Sequence, residues 1–444
     1  MYSDVISRLL SEKGISVGDR ISFEYKGLKI SGELMPKTEI GNPDVLVIKL
    51  ENGYNIGMMY YKSANIVLIE KGKGSPKFPT LQIRKSAELD NICLIYTGGT
   101  IGSKIDYKTG GVYMLTEPGE LLYEVPELSK MANIEIRHLF SIASEDISYI
   151  EWQQIASEVA SALADGAKGV VITMGTDAMH YTSAALSFML KNLNAPVIIT
   201  GAQRSSDRGS SDAFFNLQCA VKLAASSDIA ELGICMHATS SDDKCMLIRG
   251  TRARKMHTSR RDAFRPINSA PIAYVNRDMS IEYVGEYKKV EPIKKQIELK
   301  IKYEPKVALI KSHPNSDPSI IDFYVKKGYR GIVIEGTGLG HVPASTKHKS
   351  MLWLDNIKHA IDQNVVVCMV SQCVYGRVNS NVYRNLRLVS NLGVVYCEDM
   401  TAESALAKLS WLLGNYKEKE AATKMLEDIS GEIGNRLELE EFLN

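Results

Sequence analysis

From Asn91 onward the chain repeats one rhythm: a short run of β-branched and other apolar residues, then a longer stretch with helical spacing. NICLIYT, GVVITM, APVIITG and LGICMH are separated by EWQQIASEVASALADGAKG, MHYTSAALSFMLKNL and SDAFFNLQCAVKLAASS. A strand with no polar face has to be covered on both sides, and strands joined through helices lie parallel. The rhythm therefore predicts a parallel α/β sheet clothed by helices. It recurs as VALIKSH, GIVIEG and VVVCMVS, interleaved with IDFYVKKG, MLWLDNIKHAIDQ and TAESALAKLSWLLG, which predicts a second unit of the same class. Between the two series KVEPIKKQIELKIKYEPK, charged and flanked by proline, reads as a connector.

Ahead of this body, residues 17–70 alternate with period two in short runs (RISFEYKG, LKISGEL, DVLVIKLENGYNIG, NIVLIEK) broken by Gly, Asn and Pro. That pattern reads as a small antiparallel barrel or sandwich. The expected fold class is α/β: a body of two α/β domains with mostly parallel sheets, preceded by a small β-barrel-like domain. The expected boundaries are 1–72 for the barrel-like domain, 73–90 for a linker and 91–288 for the first α/β domain, which carries the active site. A connector at 289–305, a second α/β domain at 306–415 and a charged helical tail at 416–444, with no role assigned, complete the chain.

Lys and Arg number 53 and Asp and Glu 52, a formal net charge of +1, which argues against a chain that coats nucleic acid or membrane by bulk charge. The cysteines sit mostly inside apolar runs, where a small buried thiol is the simplest reading. Cys368 and Cys373 form a C-x4-C spacing without a second pair, so no zinc site is expected. No stretch approaches the ~18 apolar residues of a membrane span, and MYSDVISRLLSEKG lacks an apolar leader core. A soluble, reduced, cytoplasmic chain with no membrane partner is expected.

In parallel α/β sheets function gathers beyond the C-terminal ends of the strands. NICLIYTGGTIGS runs a strand directly into Thr97-Gly98-Gly99-Thr100, where the glycines let the backbone turn and approach a ligand and two threonine hydroxyls face the crevice. Neither a phosphate loop nor a dinucleotide fingerprint fits: Gly98 to Gly102-Ser103-Lys104 has the wrong spacing for both. At the second junction, in GVVITMGTDAMHYTSAALSF, Thr176 or Asp177 taken alone is most simply a helix N-cap. A third element, RGTRARKMHTSRRDAFR, carries Arg249, Arg252, Arg254, Lys255, Arg260, Arg261 and Arg265. It reads as a solvated face, an RNA contact, or a crowded site in which one amine works as a base, and composition leaves all three open. The glycines of GIVIEGTGLGH miss the dinucleotide spacing by one residue.

Taken together, TGGTIG, MGTDAM, ITGAQRSSDRGSSDAFFN and RGTRARKMHTSRRDAF occur in the order and spacing of the bacterial-type L-asparaginase family, which the chain resembles over residues 89–415. The added N-terminal module and the length of 444 residues resemble the D-subunit family of archaeal glutamyl-tRNA(Gln) amidotransferases within it. The resemblance implies that Thr100 is the nucleophile, assisted by a tyrosine, Tyr113 with Tyr107 as competitor. It implies a second triad of Thr176, Asp177 and Lys255, and a substrate-binding set of Ser144, Glu145, Asp177 and Gly99. Glu145 stands where asparaginases of the family often carry Gln, which leaves the substrate preference open.

The residue types suit amide hydrolysis, which needs an attacking oxygen, a base for its proton and donors for the developing oxyanion. The implied reaction is hydrolysis of L-glutamine to glutamate and ammonia through a threonyl ester. An E-type partner subunit then uses the ammonia, with ATP and Mg, to convert Glu-tRNA(Gln) to Gln-tRNA(Gln). The resemblance further implies that this chain itself binds no cofactor or metal and that the tRNA is held mainly by the partner. A homodimer within a heterotetramer is the implied assembly. The alternative is a free-standing L-asparaginase that releases aspartate and ammonia. His180, just after GTDAM, is read as a packing or hydrogen-bonding residue.

Overall fold

The computed structural model describes the chain except residues 1, 26, 36–41, 52–53, 62–63, 73–85, 100, 102, 106–111, 115–124, 207–208, 293–296, 440–441 and 443–444, with backbone alone at 25, 103–105 and 112–114. Two compact units are present, one drawn from 1–82 and 103–120, the other from 83–102 and 121–444.

In the first unit, helix α1 (Asp4–Glu12) begins at Ser3, whose hydroxyl accepts from the Ile6 amide. It is followed by strands β1 (Arg20–Tyr25), β2 (Leu28–Leu34), β3 (Val45–Lys49), β4 (Asn55–Met59) and β5 (Ile66–Glu70). They form an antiparallel sheet in the order β4-β3-β2-β1-β5. Alternation is its cause: Ile21, Phe23, Leu34, Leu46, Ile48 and Ile66 share one buried cluster with Ile6 and Leu10 of α1. The barrel expected here does not close, because no pairing joins β4 to β5 among the described residues. The helix covers one face instead.

The second unit opens with β6 (Asn91–Tyr96); a hairpin of β7 (Ser103–Ile105) and β8 (Val112–Met114) that groups with the first unit comes next in sequence. Then follow β9 (Asn133–His138), α2 (Tyr149–Ala164), β10 (Gly169–Thr173), α3 (Met179–Met189), β11 (Leu190–Lys191), β12 (Val197–Thr200), α4 (Ala213–Ser226) and β13 (Leu232–His237). Strands β9-β6-β10-β12-β13 pair in parallel, and every residue of β10, β12 and β13 is buried, as runs without a polar face require. Beyond β13 the sheet turns antiparallel through β14 (Lys244–Arg249), β17 (Ala273–Asn276) and β18 (Ile281–Tyr283), an extension that the strand–helix rhythm does not signal. Between β14 and β17 lies a small ribbon of β15 (Ala253–Lys255) and β16 (Phe264–Pro266).

After β19 (Glu298–Leu299), which pairs with β11, the second series builds the parallel sheet β20 (Val307–Lys311), β21 (Gly331–Gly336), β22 (Val366–Ser371) and β23 (Val395–Tyr396). Its helices are α5 (Ser319–Lys326), α6 (Leu354–Asp362), α7 (Arg384–Ser390) and α8 (Ala402–Asn415). Helix α8 is buried along most of its length and packs on α3, with Phe188 and Trp411 stacked at 5.9 Å between ring centres, so the two series share one core. The tail is not the helix expected. Among the described residues only α9 (Glu418–Lys424) is an α-helix, and the irregular chain beyond it returns to the core, where Glu432 is fully buried.

Candidate active site

After β6 the chain places β9 on one side of it and β10 on the other, so the strand order reverses between β6 and β10. A crevice opens at the C-terminal ends of strands flanking such a reversal. The two ends lie in register, Tyr96 opposite Thr173. Thr97 ties them: its amide and its hydroxyl both donate to the Thr173 carbonyl, at 3.1 and 2.9 Å. Its side chain is therefore committed to the strand pair instead of facing the crevice, which corrects the expectation from sequence. Gly99 adopts φ +88°, and a Cβ there would lie 2.2 Å from the Gly175 nitrogen. The T-G-G turn thus packs directly on the M-G-T turn, which explains a glycine at this position. Thr100 lies outside the described residues, and so does Tyr107. Tyr113 is described by its backbone alone, opposite Lys104 in the hairpin.

On the second junction, Thr176 and Asp177 are not the N-cap. Helix α3 starts at Met179, with Ala178 at the N-cap position and no side-chain cap. Ser144 Oγ accepts the Asp177 and Ala178 amides at 3.1 and 3.4 Å and so holds the turn that leads into the helix. The side chains of Thr176 and Asp177 are thereby left for Lys255. Its Nζ donates to Thr176 Oγ1 at 2.9 Å and to Asp177 Oδ1 at 2.7 Å. Lys255 is only 9% exposed at its side chain whereas Asp177 is 68% exposed, so the amine is enclosed and the carboxylate looks outward. Ribbon β15–β16, in which Lys255 lies opposite Phe264, fixes where the amine enters.

The other six cations of the basic run have carboxylate partners. Arg249 meets Glu231, Arg252 meets Asp399, Arg254 meets Glu403, Arg261 meets Asp242, and Arg260 and Arg265 share Asp262. Arg260 first, then Arg265, holds the Asp262 carboxyl down at about 2 against the opposing effect of burial. The run is thus charge-compensated structure around one amine aimed at Thr176, which favours the third of its three readings.

Ser144 is buried with its oxygen turned to the Asp177 and Ala178 amides just ahead of α3, and Glu145 beside it is exposed. His180, at the start of α3, is buried 3.9 Å from Glu403, and desolvation pushes its imidazole down to about 4. It is a neutral packing residue near neutral pH. A segment quoted from the sequence without individual assignments also belongs here. Beyond β12, Gly201 packs on Thr176, and Asp212 accepts the Gln203 and Arg204 amides. Gln203 Nε2 is buried without a hydrogen-bond partner among the described residues. Its signal was the glycine closing a third strand of the same sheet. Among the described residues no group of three or more His, Cys, Asp or Glu side chains could hold a metal ion.

Three family models match the chain: Asparaginase, N-terminal, over 91–287; Glutaminase/Asparaginase C-terminal domain, over 306–426; and GatD N-terminal domain, over 15–69. The Pyrococcus furiosus protein named as the D subunit of glutamyl-tRNA(Gln) amidotransferase is 48% identical over 435 residues, covering 96% of this chain and 97% of that one. Its namesake from Methanothermobacter thermautotrophicus is 44% identical over 445 residues, covering 99% of each. Among solved structures, the thermostable L-asparaginase from Thermococcus kodakarensis matches with a TM-score of 0.69 and 29% identity over 78% of this chain and 100% of that one. L-asparaginase I from Vibrio cholerae matches with 0.68 and 29%, over 78% and 99%.

Proposed function

The chain belongs to the family of glutamyl-tRNA(Gln) amidotransferase D subunits, and from that premise we propose that its asparaginase-like body is a threonine-dependent glutaminase. The observation that carries this reading is the Lys255 amine, held at 2.9 Å from Thr176 Oγ1 and 2.7 Å from Asp177 Oδ1 by segments far apart in sequence. Asp177 orients the amine; in its unprotonated form the amine accepts a proton relayed through a threonine hydroxyl, which is triad logic without histidine. Thr100 Oγ adds to the glutamine side-chain amide, and its proton passes to the leaving nitrogen. Ammonia departs and a threonyl ester remains. Water then cleaves the ester, so that glutamine and water give glutamate and ammonia. Ser144, Glu145, Asp177 and Gly99 form the substrate-binding set, and Tyr113 assists Thr100.

Ammonia then reaches an E-type partner subunit, which uses ATP with Mg on Glu-tRNA(Gln) and forms Gln-tRNA(Gln). The partner makes most of the tRNA contact, this chain forms a homodimer within a heterotetramer, and the assembly works in the cytoplasm. No helix of the described residues is long and apolar enough to cross a membrane. A free-standing L-asparaginase is the second reading, favoured by the solved structures that the body matches. Against it stand residues 15–69, which match the GatD N-terminal domain, and the 78% of this chain that those whole asparaginases cover. Purified chain assayed for ammonia before and after Lys255→Ala tests the catalytic reading. Loss of turnover by about 10²-fold or more with unchanged melting supports it, and undiminished turnover refutes it.

A further inference from the structure

The tail, to which the sequence assigns no role, runs as a strap over the elements that bring the triad together. Helix α3 follows Thr176 and Asp177, and the turn Gly250–Arg252 precedes Lys255. Ser183 on α3 donates to the Gly250 carbonyl at 2.7 Å, a first tie between the two. Residues 428–434 add the rest. Ser430 Oγ donates to the Ser187 carbonyl of α3 at 2.8 Å, while Thr251 Oγ1 donates to the Ser430 carbonyl at 3.0 Å. Arg252 Nε donates to the Gly431 carbonyl at 2.8 Å, and its Nη1 pairs with Asp399, which also accepts the Gly434 amide.

The strap is itself anchored from below. Lys408 of α8 and Glu432 form an ion pair at 2.6 Å with both side chains fully buried. Lys408 also donates to the Met425 and Glu427 carbonyls, and Glu432 accepts the Ile429 and Ser430 amides. A cleft of about 810 Å³ lies along the same segment, lined by Ser187, Arg249, Arg252, Ser430 and Gly431 among others. Packing on that side is therefore incomplete, and directed polar bonds set where the strap sits.

We propose that residues 428–434 are a positioning strap which holds the Gly250–Arg252 turn against α3 and so fixes Lys255 relative to Thr176 and Asp177. Thr251 and Arg252 are its positioning residues on the catalytic side, and the Lys408–Glu432 pair is its anchor. The strap does not touch substrate; it acts through the turn. This rests on the reading of Lys255 as the acid–base group of the site.

The test compares Thr251→Val, Thr251→Ser and Lys255→Ala in the full chain with its partner subunit, by kcat and KM for glutamine and by thermal melting. Thr251→Val keeps the side-chain shape and removes the bond to Ser430. It is expected to lower kcat about tenfold or more well below the melting transition, because a misplacement near 1 Å is costly in rate, and to leave KM within about twofold. Thr251→Ser keeps the hydroxyl and restores kcat. Wild-type kcat in Thr251→Val, or equal losses in the valine and serine variants, overturns the strap. Full activity in Lys255→Ala overturns the catalytic reading beneath it, whereas an inactive Lys255→Ala beside an unimpaired Thr251→Val sinks the strap alone.

Discussion

Lys255 is one of seven cations in its stretch of sequence, and composition alone does not separate it from the arginines around it. Each arginine has a carboxylate partner, whereas Lys255 reaches both Thr176 and Asp177. Lys255→Arg is expected to keep the pairing with Asp177 and still lose glutamine turnover by about 10²-fold or more, since a guanidinium does not give up its proton. A variant with near wild-type kcat would show that the cation serves binding only. Ser144 tells the opposite story. The family resemblance offers it as a substrate contact, but its oxygen also accepts the Asp177 amide in the turn ahead of α3, from 33 positions away, a role local reading does not reach. Ser144→Ala is expected to cost about 1–3 kcal/mol of stability, because it leaves the Asp177 and Ala178 amides without their acceptor, together with a fall in kcat; chemical denaturation beside kinetics measures both. Asp262 supplies a pH signature. Its carboxyl is held at about 2, below its ordinary 3.8, so its ion pairs stabilise the fold in full above that ordinary value and the stabilisation is lost as pH falls towards 2. Melting curves of wild type and Asp262→Asn should converge over that interval, and a constant gap would contradict the assignment.

Elements were legible in proportion to how local their causes are. Strands β10, β12 and β13 could be read because burial on both faces leaves a continuous apolar run in the sequence. The antiparallel strands β14 and β17, and the unclosed sheet of the first unit, could not, because pairing partners and closure depend on distant chain. The tail departs from the charged helix expected for the same reason: beyond Lys424 the Lys408–Glu432 pair draws the segment inward. Glu432→Gln leaves Lys408 buried without its counter-charge and is expected to destabilise the protein by about 3–5 kcal/mol. Lys408→Met with Glu432→Leu removes both charges but also the bonds to the Met425, Glu427, Ile429 and Ser430 backbone, and is expected to stay destabilised. If Glu432→Gln melts like wild type, the ion pair is not the anchor.

At the scale of the whole molecule, the sequence motifs point to two strand ends as the candidate site, and those ends are adjacent because β6 and β10 flank the reversal of strand order. The asparaginases matched in full cover 78% of this chain, and residues 15–69 of the first unit match the GatD N-terminal domain instead. The near-zero net charge and the compensated basic run support the proposal that this chain makes ammonia while a partner holds the RNA. The most direct measurement is ammonia release from glutamine and from asparagine by the purified full chain, alone and then with the partner subunit, ATP and Glu-tRNA(Gln) added stepwise. The account predicts preference for glutamine, with release that rises as the complex assembles, accompanies formation of Gln-tRNA(Gln) and vanishes in Thr100→Ala. Rapid hydrolysis of asparagine by the chain alone, indifferent to partner and tRNA, would contradict it.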